Sequence, residues 1–384
     1  MNPYIKTFYL EQQTPIIHFQ HYQDGATLRA TEVKPKLDRF IIKKAKKPID
    51  KKWFVGSTEA LNYKMQFVSQ GSHTVDLGYR TDYDIYYGNM GEHSDNVKGV
   101  MATAPVKMII KCLYPELMQV IKDSLCDFFI VTNFGRMQNK GFGSFVLDKD
   151  ESGREITYTD KKIKNALCSY YGAKTCYAFP GGKVPFGRIK TVYSLMKSGI
   201  NIGNNYRRSL LFNYMHSVMG LGNEKAYLKK NGYAPAIGKA PLFIDPAYDN
   251  QPSKYVRALL GTGDHLDFML QPGNPRNKKS IKIDGGKIER FASTVFFKVL
   301  GNTVFFVGKR IPDIILDKEF SFISEYSKST AKIRTPGPNK ISKNFMDGFL
   351  DYCCRELNKT KLPDGDTPMK DYRNMQNVTI REVN

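Results

Sequence analysis

Residues 106–147 read VKMIIKCLYPELMQVIKDSLCDFFIVTNFGRMQNKGFGSFVL. Val106–Cys112 is largely apolar and reads as a strand. Pro115 sits where helices favour proline, in the first turn. Leu117, Val120, Ile121 and Leu125 then recur at helical spacing. The apolar run Phe128–Val131, a glycine-rich loop and the strand Ser144–Leu147 close the stretch. This is the second half of a strand, helix, strand, strand, helix, strand unit.

The preceding residues supply the first half. Thr7–Phe19 is extended and interrupted at Glu11–Gln13, giving one or two strands. Thr27–Lys44 carries Leu28, Leu37, Phe40 and Ile41. Pro35 argues against one clean helix, so a turn leading into a short helix is expected. Asn62–Ser69 reads as a strand, and Gly71–Val97 as an inserted loop or hairpin. Residues 1–150 are therefore expected to form a ferredoxin-like domain: a four-stranded antiparallel sheet with two helices on one face.

Residues 151–384 repeat the theme, with the junction near Asp148–Asp160. Thr175–Phe179 is a short strand, and Val192–Lys197 and Tyr206–Met219 are helical. Phe291–Val299 and Thr303–Val307 flank Leu300-Gly301-Asn302, a hairpin signal. Ile341, Phe345, Phe349 and Cys353 mark a helix at about 339–358, and Val378–Arg381 is placed to close the sheet. Residues 220–286 read as a long irregular insertion. The expected fold class is α+β, two tandem ferredoxin-like domains with a long inserted loop in each.

A chain of 384 residues suits two domains at roughly 100–200 residues apiece. Lys and Arg number 58 against 37 Asp and Glu, a formal charge of +21. Such an excess attracts polyanions, because neutralised phosphates release condensed counterions. RNA, DNA and anionic membrane surfaces all qualify. The 23 Tyr and 24 Phe are mostly expected in cores, yet aromatic rings also stack on unpaired bases, which favours single-stranded nucleic acid. Cys112, Cys126, Cys168, Cys176, Cys353 and Cys354 form no C-x-x-C pair, so a zinc site is not expected. A reduced, cytoplasmic chain is expected. No apolar signal core opens the sequence, and no run approaches the ~20 residues of a membrane span.

The loop Asn133-Phe134-Gly135-Arg136-Met137-Gln138-Asn139-Lys140-Gly141-Phe142-Gly143 is the main candidate site. Gly135, Gly141 and Gly143 allow positive φ and close approach. Amide N–H groups freed in this way can point at phosphate oxygens, while Arg136 and Lys140 supply charge. No Lys-Ser/Thr follows and no helix opens after it, so it is neither a P-loop nor a dinucleotide fingerprint. No cofactor is implied. Two further basic stretches are candidates. Val33–Lys52 holds eight Lys and Arg39 against Asp38 and Asp50, and ends at Trp53, the only tryptophan. Asn274–Lys279 brings Arg276, Lys278 and Lys279 into a loop expected to be mobile. Arg207, Arg208 and Arg257 are weaker candidates.

Gly-Arg-x-x-x-Lys-Gly-Phe-Gly between a second helix and a closing strand resembles the glycine-rich loop of the RAMP superfamily of CRISPR-associated proteins. Phe134 stands where that pattern has another glycine. Thr14–His18 followed by Ala26–Lys34 resembles the opening of the tandem-RAMP subunit of the type III-B (Cmr) effector complex. Ile288–Ser293 followed by Val295–Val299 resembles its second-domain strand, with Thr294 where proline is common. The resemblance implies a non-catalytic subunit near the 3′ end of the CRISPR RNA, acting in antiviral defence. The implied partners are CRISPR RNA, single-stranded target RNA and other RAMP subunits, with no membrane. It also implies RNA contacts at Arg29, Lys34, Arg136 and Lys140.

An enzyme reading competes. RAMP endoribonucleases that process the CRISPR transcript share the fold, but carry their glycine-rich loop near the C-terminus rather than at mid-chain. His18 and His21 would be the catalytic candidates. His73 and His93, with Asp76, Asp82, Asp84 and Asp95, are a conceivable acid–base set. His216 and His265 have no visible partners in sequence. No Ser-His-Asp pattern appears.

Overall fold

A computed structural model describes residues 2–18, 27–45, 48–77, 98–150, 152–182, 185–202, 205–234, 252–269, 278–286, 288, 291–359 and 378–384. The first half holds β1 (Ile5–Gln12), α1 (Ala30–Lys44), β2 (Lys64–Val68), the hairpin β3 (Ser72–Asp76) with β4 (Lys98–Ala102), β5 (Val106–Lys111), α2 (Pro115–Val131) and β6 (Phe145–Lys149). Its sheet runs β2-β5-β1-β6, antiparallel throughout. The insertion expected at 71–97 begins as the β3–β4 hairpin; residues 78–97 lie outside the described residues.

Two local expectations are corrected. β1 runs unbroken through Glu11 to Gln12. α1 is a single 15-residue helix with Pro35 inside it. Proline in a helix interior costs about 3 kcal/mol. Val33, Leu37, Phe40 and Ile41 are all buried along one stripe. At about 1.5–3 kcal/mol for each side chain, their burial outweighs the proline.

The second half holds α3 (Asp160–Tyr171), β7 (Tyr177–Pro180), α4 (Pro185–Lys197), the pair β8 (Ile200–Ile202) and β9 (Asn205–Arg207), and α5 (Leu210–Ser217). Then come β10 (Gly222–Asn223), α6 (Glu224–Lys230), β11 (Ser253–Lys254), β12 (His265–Met269) and β13 (Lys278–Asp284). The chain ends with β14 (Val295–Leu300), β15 (Thr303–Gly308), β16 (Glu319–Ser324), β17 (Ser329–Arg334), α7 (Phe345–Asn358) and β18 (Arg381–Glu382). Its main sheet runs β14-β15-β7-β18, again antiparallel. Numbered by order within each half, both main sheets read 2-3-1-4. A third antiparallel sheet, β12-β13-β16-β17, gives strands to the stretch expected to be irregular at 220–286. Residues 235–251 and 270–277 lie outside the described residues.

The second main sheet is buried on both faces. Phe296, Phe305 and Val307 join the core of the first half, while Phe297, Val304 and Phe306 join the other core. Sheets covered on both sides read as continuous apolar runs, which accounts for Val295–Leu300 and Thr303–Gly308. Among the described residues, no helix is long and apolar enough to cross a membrane.

Candidate nucleic-acid interface

The glycine-rich loop leaves α2 and returns into β6. β14 is an edge strand of the second main sheet, and an edge leaves backbone groups unpaired. The loop covers that edge. Phe297 N–H donates to Asn139 O at 3.1 Å, Asn133 Nδ2 donates to Phe297 O at 2.9 Å, and Ser144 Oγ donates to Val299 O at 2.7 Å. The loop therefore joins the two halves.

Its glycines serve close approach. Gly135 has φ +75°, and an added Cβ would lie 2.4 Å from Ile17 O. Gly143 has φ +64°, and a Cβ there would lie 2.0 Å from Phe134 O. A Cβ on Gly141 would meet Val299 and Ile189 at 3.1 and 3.2 Å. The expectation that the amides point outward at phosphate is corrected. Gly135 N–H donates to Glu32 Oε1 at 2.8 Å. Arg136 N–H donates to Ile17 O, Lys140 N–H to Met137 O, Gly141 N–H to Gln138 O and Gly143 N–H to Pro15 O. Buried backbone groups must be paired, and these five find their partners inside the fold. Phe134, which replaces a glycine of the family pattern, is fully buried among Phe128, Phe129 and Phe145. Phe142 stacks on Phe186 with centroids 3.8 Å apart.

The cations divide by environment. Lys34 Nζ pairs with Asp38 Oδ2 at 2.7 Å and donates to Leu61 O at 2.8 Å, so its ammonium ties α1 to the approach to β2. Lys36, one of the lysines of the basic stretch Val33–Lys52, reaches the loop instead, donating to Glu32 Oε1, Asn133 O and Gln138 Oε1. Arg29 is the half-buried N-cap residue of α1, and Arg136 is half-buried in the loop. Lys140 extends into the second half, where its ammonium is buried over the Tyr193 ring without a hydrogen-bond partner. Burial, then the neighbouring Lys197 and Lys309, holds its pKa well below the usual lysine range. Burial also lowers Lys197 and Lys309, each to about 8. Lys197 donates to Gly261 O at 2.6 Å, and Lys309 to Asn139 Oδ1 at 2.5 Å. Lys298, wholly buried, donates to Thr132 O, Asn133 Oδ1 and Phe145 O.

Lys140 of this cationic seam is legible in the glycine-rich loop, but Lys197 and Lys309 carry no sequence signal, because they lie far from it in the chain. Like charges held together in a low-dielectric setting favour an anion between them. A crevice of about 460 Å³ elsewhere between the halves has the wrong sign for phosphate, being lined by Glu11, Asp148, Glu155 and Asp160.

The remaining candidates scatter. Lys278 and Lys279 open β13 rather than a loop; Arg276 lies outside the described residues. Arg208 is buried near the Phe212 ring; Arg257, half-buried, lies near the same ring and pairs with the fully buried Glu224 at 2.8 Å. His18 is buried and His73 lies on β3. His21, His93, Asp82, Asp84 and Asp95 lie outside the described residues. No group of three or more His, Cys, Asp or Glu suited to a metal occurs among the described residues. Trp53 packs against the core of the first half.

A family model described as the Cmr1 N-terminal domain matches residues 4–200, and one described as the Cmr1 C-terminal domain matches residues 206–376. The chain belongs to the Cmr1 family. Two solved structures are similar to this Cmr1-family chain. One is the crystal structure of Cmr1 from Pyrococcus furiosus in its apo form, at 10% identity and a TM-score of 0.43, covering 99% of this chain and 98% of that one. The other is a chain of a cryo-EM structure of the type III-B Cmr-beta bound to cognate target RNA. There identity is 12% and the TM-score 0.28, with 38% of this chain and 58% of that one covered. The Cmr1-family chain thus spans little more than half the length of that second chain. No curated protein matches it.

Proposed function

We propose that the protein is a non-catalytic, RNA-binding subunit of a type III-B CRISPR effector complex. It consists of two ferredoxin-like domains, residues 1–150 and 151–384, and sits near the 3′ end of the CRISPR RNA. Its partners are CRISPR RNA, single-stranded target RNA and other RAMP subunits. Family membership supports the complex, and the strand order common to both main sheets supports the paired domains. One observation supports the RNA site above others: Lys140, with a buried ammonium that has no hydrogen-bond partner, beside Lys197 and Lys309. A phosphate brought to this seam supplies the missing acceptor and relieves the repulsion. Arg136, half-buried in the same loop, adds a second cation.

The test is RNA affinity as a function of salt for the wild-type chain and for Arg136→Ala with Lys140→Ala. Each lost phosphate contact lowers the salt slope by about 0.7 for a single strand. An unchanged slope overturns the assignment of the loop. Metal-free incubation with repeat RNA tests the other half of the reading. Specific cleavage that disappears in His18→Ala would show an endoribonuclease instead.

A further inference from the structure

The first sheet has a second face. Phe8 and Leu10 of β1, with Val106, Met108 and Ile110 of β5, point into the core beneath the helices. Side chains alternate along a strand, so Ile5, Thr7 and Tyr9, Lys107, Ile109 and Lys111, and Lys64, Gln66 and Val68 turn to the opposite side. Ile5, Tyr9 and Val68 are 40%, 41% and 39% exposed.

The register sets the charge pattern on this face. Lys64 lies directly opposite Lys111 across β2 and β5. In the next-but-one row Val68 faces Lys107, Lys107 faces Tyr9, and Tyr9 faces Lys149. Like charges directly opposite each other destabilise a sheet. None of Lys64, Lys107, Lys111 and Lys149 forms an ion pair among the described residues. Glu11, one step further along β1, and the acidic crevice beyond it bound the face at that end. An exposed tyrosine between two lysines, with a repelling lysine pair alongside, suits a flexible polyanion that carries flat rings.

We propose that this open face binds a segment of single-stranded RNA, with a base on Tyr9 and phosphates at Lys107, Lys149 and the Lys64–Lys111 pair. The surface is separate from the glycine-rich loop, and the inference rests on the reading of RNA as the protein's polyanion. Stacking on one aromatic ring adds affinity with little sequence preference, while the lysines add salt-dependent attraction.

The experiment uses the full chain and a fluorescein-labelled single-stranded RNA of mixed sequence, titrated across salt concentrations. Lys64→Gln with Lys111→Gln is expected to lower the salt slope by about 1.4, two phosphates at about 0.7 each. Tyr9→Ala is expected to weaken binding roughly tenfold, and Tyr9→Phe to retain it. Ultraviolet crosslinking is expected to yield an RNA adduct on the β1 peptide. All these side chains are exposed or half-buried, so the variants are expected to fold, which circular dichroism checks. Wild-type slope and affinity in the lysine and Tyr9→Ala variants, with binding lost in Arg136→Ala with Lys140→Ala, overturn this proposal and leave the loop reading standing. No binding by the wild-type chain overturns both. Loss of a co-purifying protein subunit with RNA affinity unchanged overturns it in favour of protein docking.

Discussion

Glu32 Oε1 accepts the Gly135 amide at 2.8 Å and the Lys36 ammonium at 2.8 Å. One carboxylate in the first turn of α1 thus fixes the start of the glycine-rich loop. It occupies the position that the loop's composition offers to a phosphate. The backbone of this loop is structural, its amides being paired inside the fold.

Glu32→Ala leaves the Gly135 amide and the Lys36 ammonium without this acceptor. A buried group stripped of its partner costs about 1–3 kcal/mol, so urea unfolding should shift to lower midpoint by that amount. Glu32→Gln keeps an acceptor oxygen and removes a negative charge. It should cost less stability than Glu32→Ala and strengthen RNA binding. Equal losses in the two variants would show that the amide contact contributes nothing.

Gly143 and Gly153 both have positive φ, +64° and +82°, but differ in their surroundings. A Cβ on Gly143 meets Phe134 O at 2.0 Å, whereas one on Gly153 meets nothing within 4 Å. Gly153→Ala should cost about 1–2 kcal/mol, the left-handed penalty alone. Gly143→Ala adds a backbone clash that no side-chain rotation relieves, and should prevent accumulation of folded protein. Comparable soluble yield and midpoint for the two would refute the distinction.

Much of this fold was legible from local patterns. Leu117, Ile121 and Leu125 marked α2, and Leu300-Gly301-Asn302 marked the β14–β15 turn, because each signal lies within a few residues. Pro35 misled, since the burial of Val33, Leu37, Phe40 and Ile41 is a tertiary effect that propensity does not record. The glycine loop is legible in the sequence but the partners of its amides are not, because Glu32, Ile17 and Pro15 reach it only through the fold. The seam of Lys140, Lys197 and Lys309 and the lysine rows on the open sheet face depend on long-range register. No sequence window contains them.

Lys298 has an ammonium held by three acceptors from the first half while its backbone belongs to β14. Burial alone holds its pKa well below the usual lysine range. Lys298→Met keeps most of the volume but leaves two backbone carbonyls and Asn133 Oδ1 short of a donor. The expected cost is about 2–4 kcal/mol. Because the bonds join the halves, unfolding should also become less cooperative, with fluorescence and circular dichroism transitions separating. Coincident transitions at the wild-type midpoint would rule this out.

Lys309 gives the fold a specific pH dependence. Burial lowers its pKa from 10.5 to about 8. Below pH 8 both the folded and unfolded chains carry the proton, and the folded state bears the full burial penalty. Between about 8 and 10.5 the unfolded chain holds a proton that the folded chain has released. Stability therefore rises with pH in that window, by up to about 1.4 kcal/mol per pH unit from this group. Lys309→Met removes the titration along with the bond to Asn139. Relative to the variant, wild-type stability should climb from pH 8 to 10 in urea titrations at fixed ionic strength. Lys197, also lowered to about 8, persists in both proteins and cancels in the difference. Parallel stability curves across that range would show that the Lys309 ammonium is solvated rather than buried against Tyr171 and Phe296.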